Sequence, residues 1–379
     1  MLDDGSCYQF IDRSSDTLIV AFSAISTPRG KFGYYDVLAD VPDSVLFLNC
    51  PGNQWYLDGV PGLGSDLDST VRSIERVAVN AGASRITMLG SSMGGYGAAL
   101  YGSMLGEGVR VLATGAEVIL NLGSSNSENW LKARAATALL DHMLTTQCRL
   151  DLLYGEWFAP DLVGALAAKR YGANVRTLKN LEHNIPPYLN KKYGLVNLIR
   201  DPRGTDLLDP SEIGSILQAP SIAFLMQRLH HAWRMGASTN EAILLREEAR
   251  AIMSECADEH RPHAYHLLSH TEILCHSLRS AVRYAQMCCD MEPRFYLHFA
   301  HLASIHVKAG NFTDALEAVR RCKALEDTST KRTAQNLKIT EAQALIGLKR
   351  EGEAKDILSI VLQERPAHGF AQRMMDNLS

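Results

Sequence analysis

The sequence predicts an α/β fold, a mostly parallel sheet with flanking helices, followed by an all-α domain of helical repeats. Three observations carry this expectation. Up to about residue 200, short β-branched or apolar runs alternate with amphipathic stretches. Beyond residue 212 the β-branched runs disappear and Ala, Leu, Arg and Glu dominate. Within that second half an alanine recurs twelve residues before a proline, from Ala281 to Pro293 and again from Ala354 to Pro366.

Strands are expected at 17–23, 44–50, 85–90, 109–114, 149–155 and 174–179. Helices are expected near 65–81, 94–106, 128–146, 161–171 and 187–199. Ser65 and Asp68 read as a capping box at the start of the first of these. The glycine-rich turn before it, DGVPGLGSDLD, lacks the third glycine of a dinucleotide fingerprint. The segment RDPRGTDLLDPSE then breaks the pattern with two Asp-Pro steps and an Arg-Gly. The expected organisation is therefore a domain over 1–200, a linker over 201–212 and a helical domain over 213–379.

In the helical half the middle copy of the repeat reads YLHFAHLASIHVKAGNFTDALEAVRRCKALED. Its Ala-Gly-Asn-Phe turn followed by Ala315 resembles the turn and second helix of a tetratricopeptide repeat. That resemblance implies stacked helix pairs over about 262–368, with a concave face that holds a protein partner or an extended substrate. The third copy is displaced by a few residues through DTSTKRT.

Composition limits the function classes. The 379 residues suit two domains at roughly 100–200 residues each. Thirty-eight basic residues against forty-two acidic ones leave a net charge of −4, which recruits neither nucleic acid nor an anionic membrane. The opening MLDDGSCYQFIDRSSD lacks a signal-peptide pattern, and no apolar run approaches the roughly 18 residues of a membrane span, so a cytoplasmic location is expected. Eight cysteines without CxxC spacing read as reduced, mostly buried thiols. Metal could bind His266 with His270, or His298, His301 and His306 in the next repeat. No HExxH motif accompanies them, and a polar repeat surface is expected with no metal or cofactor.

The chemistry concentrates in RITMLGSSMGGYGAA, residues 85–99, where a strand enters Gly90-Ser91-Ser92-Met93-Gly94 and then a helix of small residues. A Gly-x-Ser-x-Gly turn needs glycines on both sides so that strand and helix backbones can pass closely, and it projects Ser92 from the sheet as a nucleophile. Residues 17–199 here resemble the α/β-hydrolase superfamily, particularly esterases with a Ser-Met-Gly-Gly elbow. The resemblance implies a general base after the last strand and an acid after the one before it. Before residue 200 the only histidines are His142, inside an expected helix, and His183, in the loop KNLEHNIPPYL. His183 occupies the slot of the base.

The acid is open at this stage. The family often carries Gly-x-x-Asp after the penultimate strand, whereas this chain reads Gly155-Glu156-Trp157-Phe158. Asp161 is the leading choice, with an N-cap as its structural alternative; Glu156 is the main rival and Asp151 a distant one. Oxyanion donors would be the N–H of Met93 and one from the turn at Ser23 or Ala24, Ala24 being preferred. Trp55 and Tyr56, after the second strand, are expected to line the acyl or leaving-group pocket, with a cover for the sheet edge as the alternative.

The expected activity is hydrolysis of an ester, such as an acylated sugar or a peptide-linked acyl group. The segment GAEVILNLGSSNSENW is too short for a large lipase lid and is fairly polar. An acyltransferase would use the same residues. A protein-binding scaffold with an inactive hydrolase domain is the alternative of a different class.

Overall fold

The computed structural model describes residues 6–131, 138–143, 145–325 and 331–378. A seven-stranded sheet is built from β1 (Tyr8–Ile11), β2 (Thr17–Phe22), β3 (Ser44–Leu48), β4 (Arg85–Ser91), β5 (Val109–Thr114), β6 (Arg149–Gly155) and β7 (Asn174–Leu178). Its spatial order is β1-β3-β2-β4-β5-β6-β7, and only the edge strand β1 runs antiparallel. This is an α/β fold with a mostly parallel sheet and flanking helices, followed by a helix-rich region. The six expected strands are all present. β1 was not foreseen, because YQFI is short and half-buried throughout, with no alternation to mark it.

The strands read as continuous apolar runs because both faces of the sheet are covered. Leu18, Val20 and Phe22 enter one core with Ile74, Tyr96 and Ala165. Ile19 and Ala21 enter the other with Leu189, Leu198 and Ile199. The helices of this part are α1 (Tyr35–Leu38), α2 (Leu67–Asn80), α3 (Met93–Leu105), α4 (Asn126–Trp130), α5 (Ala138–Met143), α6 (Ala159–Arg170), α7 (Pro186–Tyr193) and α8 (Leu195–Arg200). The capping box of α2 falls one residue later than expected, on Asp66 and Ser69. The helix expected over 187–199 is divided at Gly194, whose φ of +70° no continuous helix tolerates. The helix expected over 128–146 is described as α4 and α5, and residues 132–137 and 144 of it lie outside the described residues.

The chain divides into two compact units between His231 and Ala232. The segment 201–212 is therefore part of the first unit and not a linker. It forms short 3-10 turns at Gly204–Leu207 and Pro210–Glu212. Ile213 bridges Leu178 in antiparallel fashion, Lys179 N–H donates to Glu212 O at 3.0 Å, and Gly214 N–H donates to Thr177 O at 2.8 Å. These bonds satisfy backbone groups along the outer edge of β7 that would otherwise be bare. The Asp-Pro and Arg-Gly steps mark turns packed on the sheet, a role their local signal shares with linkers.

Helix α9 (Pro220–Met235) contains the division. The second unit continues with α10 (Thr239–Glu255), α11 (Arg261–Leu274), α12 (Leu278–Met291), α13 (Tyr296–Lys308), α14 (Phe312–Lys323), α15 (Lys331–Gly347), α16 (Glu351–Glu364) and α17 (Gly369–Asp376). α11 packs on α12, α13 on α14 and α15 on α16 as successive hairpins. Ala281, Ala315 and Ala354 are fully buried in the second helix of each pair. A larger side chain there would push the helices apart, which is the physical content of the recurring alanine. Residues 326–330, which overlap the segment that displaces the third copy, lie outside the described residues. Among the described residues no helix is long and apolar enough to cross a membrane.

Candidate active site

At the end of β4 the chain turns sharply into α3, with Ser92 between them at φ 54° and ψ −123°. A non-glycine residue is strained there, and such strain persists only where the surroundings impose it. The surroundings here are two close approaches. A Cβ on Gly90 would fall on the Gly94 carbonyl, and one on Gly94 would fall on the Phe22 carbonyl at the end of β2. Ser92 N–H donates to Thr114 O of β5 at 2.9 Å, which ties the turn to the next strand. The residue is nearly buried.

His183 arrives on the loop after β7. Its Nε2 lies 2.9 Å from Ser92 Oγ and its Nδ1 2.8 Å from Asp161 Oδ2. Gly155, at the end of β6, admits this loop, since a Cβ there would collide with the carbonyls of Leu181 and Glu182. Phe158 packs against the imidazole with ring centroids 5.0 Å apart. Asp161 has no exposed surface. It is the third residue of α6, whose N-cap is Phe158, and its carboxylate faces the imidazole instead of capping the helix.

Burial opposes charge on His183, but the adjacent Asp161 carboxylate and its hydrogen bond outweigh this, with Glu117 adding to them. The imidazole is raised from its usual range to about 9. The arrangement is a continuous path from a hydroxyl through an imidazole to a carboxylate, the geometry by which a weak serine nucleophile is activated.

The two rival acids are occupied elsewhere. Glu156 is buried, and its Oε1 accepts from Thr177 Oγ1 at 3.1 Å and from Ile216 N–H at 3.0 Å. Asp151 sits near the opposite end of the sheet axis from Ser92, where β6 begins. It is bound by Arg149 at 3.0 Å, Arg110 at 3.3 Å and the Asn174 amide at 2.6 Å.

Of the two residues considered for the second oxyanion donor, Ser23 uses its N–H on Leu48 O at 2.9 Å. Ala24 lies two residues beyond the end of β2, and Met93 is the first residue of α3.

Trp55 and Tyr56 do not line an open pocket. Both are fully buried, and both have positive φ, 52° and 60°, so the loop curls back and drops the rings into the core. Tyr56 meets Phe22 edge-on at 5.1 Å and donates its hydroxyl to Ser23 O at 2.8 Å. Tyr56 thereby braces the end of β2.

Two residues near the imidazole escaped the sequence reading. Glu117, just beyond β5, is buried and accepts from Asn126 N–H at 2.8 Å and Ser127 N–H at 2.9 Å. Burial raises its carboxyl, partly offset by the bonds from Ser127. The start of α4 is thereby fixed so that Asn126 Nδ2 lies 3.4 Å from His183 Nε2. The available signal was Ser125 three residues before Glu128, a helix-start pattern in which Ser125 Oγ accepts from Glu128 N–H.

Fold and site together define an α/β domain with a Ser–His–Asp hydrogen-bond relay at the ends of its strands. No protein-family profile matches the chain, and no curated protein matches it. Among solved structures it is similar to MenH from S. aureus, at 14% identity and a TM-score of 0.36, covering 50% of this chain and 96% of that one. A structure described under carboxylesterases of the ammonia-oxidizing thaumarchaeon Nitrososphaera gargenis is similar at 12% identity and a TM-score of 0.33, covering 48% of this chain and 90% of that one.

Proposed function

We propose that the first unit is a serine acyl hydrolase of the α/β-hydrolase type, with Ser92 as nucleophile, His183 as general base and Asp161 as the acid that orients it. The observation that carries this reading is the relay itself. Residues 91 and 22 positions apart in sequence meet at 2.9 and 2.8 Å, in the chain order Ser, Asp, His.

In the proposed reaction His183 holds its Nδ1 proton against Asp161 and takes the Ser92 hydroxyl proton on Nε2 as Oγ attacks the ester carbonyl. The N–H groups of Met93 and Ala24 receive the tetrahedral oxyanion. His183 returns its proton to the departing alcohol, and a water activated by the same imidazole releases the acid from Ser92. The polar segment around Asn126 favours a polar ester. The helical unit is assigned the holding of a partner or an extended substrate.

A fluorophosphonate probe tests the reading directly. Labelling of the wild type that vanishes in Ser92→Ala, with an unchanged circular dichroism spectrum, is the expected result. A wild type that never labels would sink it.

A further inference from the structure

The helical unit holds a second group of chemistry-bearing side chains, unused by the proposed reaction. His266 and His270 lie one turn apart on α11 and share a face of that helix. His301 comes from α13, the first helix of the next hairpin. One ring nitrogen from each of the three lies within 4.8 Å of the other two. Ring centroids are 4.4 Å apart for His266 and His270, 4.1 Å for His270 and His301, and 4.9 Å for His266 and His301. All three are partly exposed, so an ion can reach them from solvent.

We propose that His266, His270 and His301 form a three-histidine site for a divalent transition metal, zinc in the first instance. Tetrahedral zinc with Zn–N bonds of about 2.0–2.1 Å sets its ligand nitrogens about 3.4 Å apart. Side-chain rotation alone can draw a triangle of this size together, and the i, i+4 pair is already aligned by its helix. Among the described residues no carboxylate or thiolate joins the group. An all-imidazole set suits zinc, nickel or copper and not the oxygen-seeking magnesium or calcium. Three protein ligands leave a fourth position for water.

A neighbouring hydroxyl prepares one of the rings. Ser269 Oγ donates to Ala281 O at 3.0 Å, so its oxygen accepts from Nε2–H of His301, also at 3.0 Å. This orients the His301 ring and leaves its lone pair on Nδ1, as a buried acceptor does behind a metal-bound imidazole. The sequence reading kept the α11 pair apart from His298, His301 and His306; hairpin stacking brings His301, 31 residues beyond His270, to the pair.

The test is titration of the chelator-treated full chain with cobalt(II) chloride, then zinc chloride. One equivalent of cobalt with visible ligand-field absorption, no thiolate charge-transfer band, and displacement by zinc is the expected result. His301→Ala should weaken binding by at least about tenfold, whereas His276→Ala should leave it unchanged. Uptake of less than one equivalent by the wild type, a thiolate spectrum, or equal binding by His301→Ala overturns the proposal. Should His301→Ala not fold, diethyl pyrocarbonate modification of the wild type decides. Zinc is expected to slow modification of His266, His270 and His301 but not of His276, and equal rates with and without zinc overturn the site.

Discussion

Asp161 Oδ2 lies 2.8 Å from His183 Nδ1, although Asp161 stands beyond the Gly155-Glu156-Trp157-Phe158 stretch in which the sequence reading looked for an aspartate. The first turn of α6 carries the carboxylate to the imidazole that a residue in the preceding loop would otherwise have to reach. Asp161→Asn keeps the shape but removes the charge that selects the productive tautomer. We expect kcat to fall by about 10³–10⁴-fold in hydrolysis of a short p-nitrophenyl ester. A variant within tenfold of wild type would exclude Asp161 as the orienting acid.

Glu156 should behave in the opposite way. Its carboxylate satisfies Thr177 and Ile216, so Glu156→Ala leaves buried donors without their acceptor. The expected cost is roughly 1–3 kcal/mol in chemical denaturation, with labelling of Ser92 retained in the folded fraction.

The pH dependence follows from His183, raised to about 9 by Asp161. In the proposed reaction His183 must be neutral to act as the base, so kcat/KM should rise with pH through the interval between about 6.5 and 9. Stability runs the other way. A folded value above the unfolded one means that the ion pair's contribution is fully present below about 6.5 and is lost as pH rises through about 9. Asp161→Asn should flatten that stability slope and move the titration of His183 downward, as followed by imidazole proton resonances.

Tyr56→Phe separates support from substrate contact. Loss of the hydroxyl bond to Ser23 O should cost about 1 kcal/mol, with KM unaltered. A raised KM at unchanged stability would return Tyr56 to the substrate pocket.

Gly155→Ala tests the loop that carries the base. The added methyl meets the carbonyls of Leu181 and Glu182, and the loop must shift. Steady-state turnover should fall while Ser92 keeps its place in the elbow, and stability should drop by roughly 1–3 kcal/mol.

Much of this was legible in the sequence because the relevant signals are local. Strands buried on both faces give unbroken apolar runs, and Gly90 meets the Gly94 carbonyl within one strand–turn–helix unit, whereas Gly94 makes room for the Phe22 carbonyl of the neighbouring strand β2. Choosing among Asp161, Glu156 and Asp151 was not local. The three lie within eleven residues, and what separates them is that Asp151 stands in β6, Glu156 just past its end and Asp161 in the first turn of α6, and who meets each there. Trp55 and Tyr56 misled for the same reason, since positive φ values decide whether loop aromatics face out or in, and neither residue type advertises them. Glu117 acts through backbone N–H groups that no side-chain pattern records.

The antiparallel bridge between Ile213 and Leu178 has a practical side. Cutting the chain at residue 200, where composition changes, would strip the last parallel strand of its cover and leave a sticky border open to any passing β-segment. A fragment of the first unit meant to stay monodisperse should therefore extend through His231, and the shorter one should be recovered as aggregate.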